Sequence, residues 1–262
     1  MSAATAASSF IITTLRPSHP PWHSSIYNHI YSSPKSNSNS NSKGIFVATA
    51  VTHNNNNELS LSSSAYNSPS SITDDLGDVT IFRASGEPVT LKSLMWDEAV
   101  EEGLTVVALL RHFGCPCCWE LASTLKESKA RFDSAGVKLI AIGVGTPTKA
   151  RILAQRLPFP MDCLYADPDR KAYNVLNLYY GFGRTFFNPA SAKVFSRFDA
   201  LQKAVKNYTI EATPDDTSGV LQQGGMFVFR GKQLLYGRKD EGTGDHAPLD
   251  DIFDVCCKAP LA

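Results

Sequence analysis

Acidic side chains are missing from the first 57 residues; the first of the chain's 25 Asp and Glu residues is Glu58. The same stretch is crowded with Ser, Asn and small residues, as in PKSNSNSNSKG and HNNNN. Such a composition buries too little apolar surface to offset the entropy of ordering, so residues 1–57 are expected to be disordered. Arg16, Lys35 and Lys43 are its only Lys or Arg residues. An acid-free, Ser-rich segment without an amphipathic Arg-rich pattern points to a chloroplast transit peptide over a mitochondrial one, with the stroma as destination. The apolar run SSFIITTL lacks a tight basic flank, so a secretory signal is the weaker alternative. A processing point is expected near IFVATA, residues 45–50.

No apolar run in the chain is long enough to span a membrane. Nor is there an excess of positive charge. Removing 57 residues takes away three basic side chains and no acidic ones, leaving 22 against 25, a balance that does not fit a nucleic-acid binder. Cysteine is absent before position 115, so the chemistry of all six belongs to the folded part. Under stromal conditions they are switchable thiols more readily than permanent staples.

After a polar linker over residues 58–73, the pattern changes to that of one α/β domain over 74–262. GDVTIFRASGEPVTLKSLM reads as a strand, an SGEP turn and a second strand or helix start. Residues 105–110 form a continuous apolar run, expected as a central strand buried on both faces. Leu121, Leu125 and Phe132 then follow helical spacing among charged residues, giving an amphipathic helix over 116–133. A second buried strand over 137–142 and a helix over about 147–157 repeat the order, which argues for parallel strands joined by right-handed crossovers. CLYADPDRKAYNVLNL reads as a short strand, a turn at Asp167 and Pro168, and a helix from Arg170. Asn188 and Pro189 have the character of a helix cap and first turn, opening one or two helices on the rim. An edge hairpin over 226–229 and 234–236, turning at Gly231 and Lys232, and a closing helix in PLDDIFDVCCK complete a mixed sheet with helices on both faces.

The most informative stretch is RHFGCPCCWEL, residues 111–121, which holds three of the six cysteines in four positions. It sits where a buried strand passes into a helix, with Cys115 as the expected cap and Pro116 as the first helical residue. A cap sulfur facing the N–H groups of Cys117 and Cys118 is stabilised as thiolate by those donors and by the positive helix end. Arg111 and His112 stand close in sequence as further sources of positive charge. Such a thiolate is expected to be exposed and reactive. Cys115 and Cys118 are nearly one turn apart and can close a reversible disulfide, whereas Cys117 lies off that line. A zinc site would want a second cysteine knuckle or a nearby Cys/His pair, and Cys256 and Cys257 are adjacent in sequence and distant along the chain. An inert core role suits an isolated cysteine better than three at a helix start.

The chain resembles the peroxiredoxin-like, AhpC/TSA-type antioxidant-enzyme proteins of the thioredoxin superfamily, including their plant chloroplast members. RHFGCPCC, LYADPDRKAYNVL, QQGGMFVF, LLYGRKD and the terminal CC carry the resemblance, in matching order over about residues 79–257. It implies a thioredoxin-like fold with a helical rim insertion and a redox-active pair at Cys115 and Cys118. It also implies a thioredoxin-type thiol donor, a peroxide or disulfide substrate, and no cofactor. Two departures stand out. The thioredoxin pattern W-C-G-P-C is altered, with Pro116 in its second position and Phe113 and Gly114 before it; in the peroxiredoxin pattern P-x-x-x-T-x-x-C, Cys115 takes the place of the Thr. The first register makes Cys115 the attacking thiol and the second makes it Cys118; the helix-cap argument favours Cys115. At the site of the usual thioredoxin proline stands QQGG, where Gly224 and Gly225 either admit a substrate or simply turn the chain.

Other signals have plainer readings. GVGTPT lacks the third glycine of a dinucleotide loop and reads as a strand-to-helix turn. Asp167 and Asp169 suit Asx-type turn chemistry, His246 reads as an exposed loop residue, and Cys163 as a buried thiol. YYGFGRTFF, residues 179–187, reads as core and rim packing or as the lining of a substrate groove. The expected function is a thiol oxidoreductase acting on a peroxide, an endoperoxide or a disulfide; the alternative is a non-catalytic redox sensor on the same scaffold.

Overall fold

A computed structural model describes residues 69–96 and 103–258. The transit-peptide reading of residues 1–57 and most of the linker reading lie outside the described residues. The linker's last residues are corrected: Pro69–Gly77 forms a helix, α1, whose Leu76 is fully buried.

Two short strands, β1 (Thr80–Arg83) and β2 (Pro88–Thr90), follow as a hairpin, and a one-turn helix α2 (Leu91–Met95) is capped by the Thr90 side chain. The central unit is β3 (Leu104–His112), α3 (Pro116–Ser134), β4 (Val137–Val144) and α4 (Pro147–Arg156). Beyond it come β5 (Leu164–Ala166) and α5 (Lys171–Val175). Both carboxylate oxygens of Asp167 accept from the start of α5, at Lys171 N (3.0 Å) and Ala172 N (2.8 Å), which is the turn chemistry expected of it. The rim insertion holds α6 (Phe182–Phe186), α7 (Phe198–Ala204) and four 3-10 segments. Asn188 caps the first of these, accepting from Ala190 N at 2.8 Å. The hairpin β6 (Gly225–Arg230) and β7 (Gln233–Lys239) and the helix α8 (Leu249–Lys258) close the chain.

One seven-stranded sheet runs in the order β2-β1-β5-β4-β3-β6-β7. β3, β4 and β5 are parallel, whereas β6 and β7 on one side and β1 and β2 on the other are antiparallel to their neighbours. The β-α-β unit followed by an antiparallel hairpin beside its first strand, then a helix, is the thioredoxin-like arrangement, here extended by β5 and the β1–β2 hairpin. Alternation along β3 builds the core on both faces. Val106, Ala108 and Leu110 pack with α3, α4 and α8; Val107 and Leu109 pack with α1, α2 and α5.

The register of β3 against β4 is regular from Leu104 to Leu109 and shifts before His112. That irregularity takes the Arg111 N–H out of the ladder and leaves it free for a side chain. Phe113, fully buried, packs on Gly143 and Gly145, where an added Cβ would stand 2.4 Å and 3.0 Å from its ring. The turn into α3 is thereby fixed before the first cysteine.

Candidate functional site

Cys115 caps α3 with extended backbone geometry (φ −89°, ψ 120°), and its carbonyl accepts from Cys118 N (2.9 Å) and Trp119 N (3.1 Å). The local fold is the expected one, but the sulfur is used differently. Its side chain makes no cap hydrogen bond, and it turns toward Arg111, whose Nη1 lies 3.5 Å away. Its exposure is also corrected: Cys115, Cys117 and Cys118 are 2%, 6% and 0% exposed.

Burial makes the surrounding donors decisive. The Cys117 and Cys118 thiols donate to the Cys115 sulfur and Arg111 adds positive charge, so Cys115 ionises well below the ordinary range of a thiol although burial opposes it. Its partners move the other way. Donation to Cys115, and then burial, raise Cys117; burial, and then donation to Cys115, raise Cys118. The turn thus separates one acidic thiol from two that keep their protons. Cys118 Sγ also accepts the Arg111 N–H released by the strand irregularity, at 3.2 Å. His112, expected as a source of positive charge, is pulled down to about 4 by burial and is neutral near pH 7.

The rim insertion closes over this turn. Arg111 donates from Nε to Gln222 O (3.0 Å) and from Nη2 to Val220 O (2.7 Å). Tyr208 donates to Gly114 O at 2.8 Å. Thr213 sits so close to Gly114 that an added Cβ would come 2.1 Å from its hydroxyl and 2.5 Å from its backbone. Lys149 ties α4 to the same segment through Glu211 O (2.8 Å) and Asp215 (3.0 Å). Thr213, Tyr208 and Lys149 were not legible as site residues, because they reach the cysteines only through the insertion's path.

Gly224 makes no turn: an added Cβ would meet Leu109 O at 2.2 Å, so the glycine serves the close approach of its own backbone to β3. The aromatic segment is corrected as core: Phe182, Phe186 and Phe187 are 59%, 57% and 74% exposed. Cys163 is buried, with its thiol pushed up to about 12 by burial. Cys256 faces the core from α8 and Cys257 is exposed, and neither joins the turn.

His246 is the site residue the sequence hid. Its loop, residues 240–248, folds inward, and the ring bridges Asp240 Oδ2 (2.9 Å) and the carbonyl of Cys117 (3.2 Å). The Gly-rich GTGDHAP reads as exposed loop, and no local pattern marks the turn inward. Among the described residues, no group of three or more His, Cys, Asp or Glu side chains is placed to hold a metal ion, and no helix is long and apolar enough to cross a membrane.

A family model described as AhpC/TSA antioxidant enzyme matches residues 124–242. Thioredoxin-like protein AAED1, chloroplastic, of Arabidopsis thaliana is 31% identical over 187 residues, covering 70% of this chain and 72% of that one. Prostamide/prostaglandin F synthase of Sus scrofa is 31% identical over 183 residues, covering 66% of this chain and 81% of its own. Among solved structures, peroxidoxin BcpB of Mycobacterium tuberculosis is similar at a TM-score of 0.49 and 14% identity, covering 72% of this chain and 97% of that one. On the family model and the two relatives at 31% identity, the chain belongs to the peroxiredoxin-like AhpC/TSA family of the thioredoxin superfamily.

Proposed function

We propose that the protein is a thiol oxidoreductase in which Cys115 attacks and Cys118 resolves. The observation that carries this reading is the Arg111 guanidinium against the Cys115 sulfur, Nη1 at 3.5 Å, at the start of α3. The Cys115 thiolate attacks one oxygen of a peroxide, forming an S–O bond and releasing the other oxygen as an alcohol or water once protonated. The Cys118 sulfur then attacks Cys115, water leaves, and a disulfide joins the pair. A dithiol donor of thioredoxin type reopens it and is itself oxidised. With a cyclic endoperoxide the same attack gives a sulfenate ester, and closure of the disulfide releases both oxygens as hydroxyls. Relatives named prostamide/prostaglandin F synthase bring prostaglandin-type substrates into the set to be tried. No prosthetic group enters these steps. The acid-free N-terminus and the relative named chloroplastic support action in the chloroplast stroma.

A second reading has its own observation. The pair is 2% and 0% exposed beneath the insertion, which suits a sensor that oxidises and changes partner contacts without turning over. Continuous consumption of a peroxide in the presence of thioredoxin and its reductase separates the two. Wild type is expected to turn over, with Cys115→Ser inactive and Cys118→Ser stalled after one oxidation. A wild type that oxidises once and accepts electrons from no dithiol donor supports the sensor instead.

A further inference from the structure

The loop between β7 and α8 places three ionisable side chains in near-complete burial beside the cysteine turn: Asp240 and Asp245 are each 2% exposed and His246 is 5% exposed. A charged loop drawn into the core is costly unless each group is paired. Here the pairing has a direction. Cys117 O can only accept, so the His246 Nε2 at 3.2 Å carries a proton and donates. Asp240 Oδ2 faces Nδ1 at 2.9 Å, and Arg238 stands 4.0 Å behind it at Oδ1 while donating to Asp245 Oδ1 at 2.8 Å. With Asp240 ionised there is an acceptor on each side, and the ring then satisfies both only when both nitrogens bear protons.

We propose that His246, as an imidazolium held between Asp240 and the Cys117 carbonyl, is a positioning residue of the thiol site: it fixes the first turn of α3 and turns its positive end toward Cys115. The inference rests on the reading of Cys115 as the acidic thiol. It adds a second device to Arg111: the insertion holds Arg111 through Val220 O and Gln222 O, and it holds the His246 loop through Arg197 on Gly244 O and Asn188 on Glu241 O.

Among the described residues, the charges that act on the ring are Asp240 at the end of β7, the Cys115 sulfur at the cap of α3, and Arg197 of the insertion, whose Nε Glu120 on α3 holds at 3.1 Å. Burial pulls His246 down, but the Asp240 carboxylate and then the Cys115 sulfur outweigh it together, and the ring holds its proton above the ordinary value of 6.5. Loss of that proton leaves one N–H for two acceptors, so either Asp240 or Cys117 O loses its donor. The Cys115 thiolate should therefore form at a lower pH while His246 holds its proton than it would beside a neutral ring.

The test follows the lowest thiolate step by ultraviolet absorbance in the reduced full chain, assigned with Cys115→Ser. In His246→Gln and Asp240→Asn that step should move up by about one pH unit, about tenfold less thiolate at fixed pH below it. Asp240→Asn keeps an oxygen and an amide to hold a neutral ring against Cys117 O, so it removes the charge while sparing the fold. The reciprocal measurement needs neither variant: by linkage, the His246 ring followed by NMR should titrate lower in Cys115→Ser than in wild type. A step present in wild type and unmoved in a folded Asp240→Asn, or a His246 titration indifferent to Cys115, overturns the proposal. A wild type without the low step overturns the Cys115 reading itself, and this proposal with it.

Discussion

At the scale of the residue, the site works by placing buried ionisable groups in opposite states within one turn. Arg111 and the two neighbouring thiols hold Cys115 as the acidic member, while His112, next to Arg111 in sequence, is kept neutral by burial at about 4. The His112 shift has a stability consequence whose sign is fixed. The unfolded chain takes up a proton on its imidazole near 6.5 and the native protein does so only near 4, so the native state binds fewer protons between those values. The contribution is fully present above pH 6.5 and is lost as pH falls through 4. Its size is about 3 kcal/mol for a shift of this extent. Denaturant unfolding at pH 7 and pH 4 should show that loss in wild type and a correspondingly smaller one in His112→Gln. Equal losses in both proteins would place acid sensitivity elsewhere.

At the scale of the element, the insertion decides whether the thiols meet solvent. Gly114 has no room for a Cβ against Thr213, and the Tyr208 hydroxyl holds the Gly114 carbonyl. Gly114→Ala should lift the insertion, and Tyr208→Phe should loosen it by about 1 kcal/mol, the worth of one hydrogen bond. Labelling of Cys115 by a small alkylating agent, read by mass spectrometry, should speed up about fivefold in Tyr208→Phe and more in Gly114→Ala. Rates equal to wild type in both would show that the insertion does not gate the sulfur.

The elements themselves were largely legible. The apolar run at 105–110 has nowhere to go but a strand buried on both faces, and Pro116 after Cys115 marks a helix start by its missing N–H and fixed φ. Illegible were the features set by long-range placement. Nothing local in KNYTIEATPDD says that Tyr208 and Thr213 will lie on Gly114, and nothing in GTGDHAP says that His246 will reach Cys117. Burial of the cap sulfur is illegible for the same reason: a helix start is open to solvent only until another segment is laid across it. The helix α1 is hard to read because PSSITDDLG has a Pro/Ser start and few apolar residues; it is fixed by long-range contacts, with Leu76 and Thr73 buried and Asp74 paired with Lys232.

At the scale of the whole molecule, the sheet order brings two supports to one point, Arg111 and His246, each oriented by a residue from another strand end. β3 delivers Arg111, β6 is preceded by the Gln222 carbonyl that orients it, and β7 ends at Asp240, which orients His246. Cys256 and Cys257, on α8, stand outside this convergence. The central claim is that oxidation is confined to Cys115 and Cys118, with Cys115 attacking first. It is tested most directly by treating the reduced protein with one equivalent of peroxide and mapping the cysteines by mass spectrometry, in wild type and in Cys118→Ser. The account predicts a single Cys115–Cys118 bridge in wild type and a sulfenic acid on Cys115 in Cys118→Ser. A bridge that includes Cys256 or Cys257, or a Cys115→Ser protein that still forms a sulfenic acid on Cys118 at the wild-type rate, would contradict it.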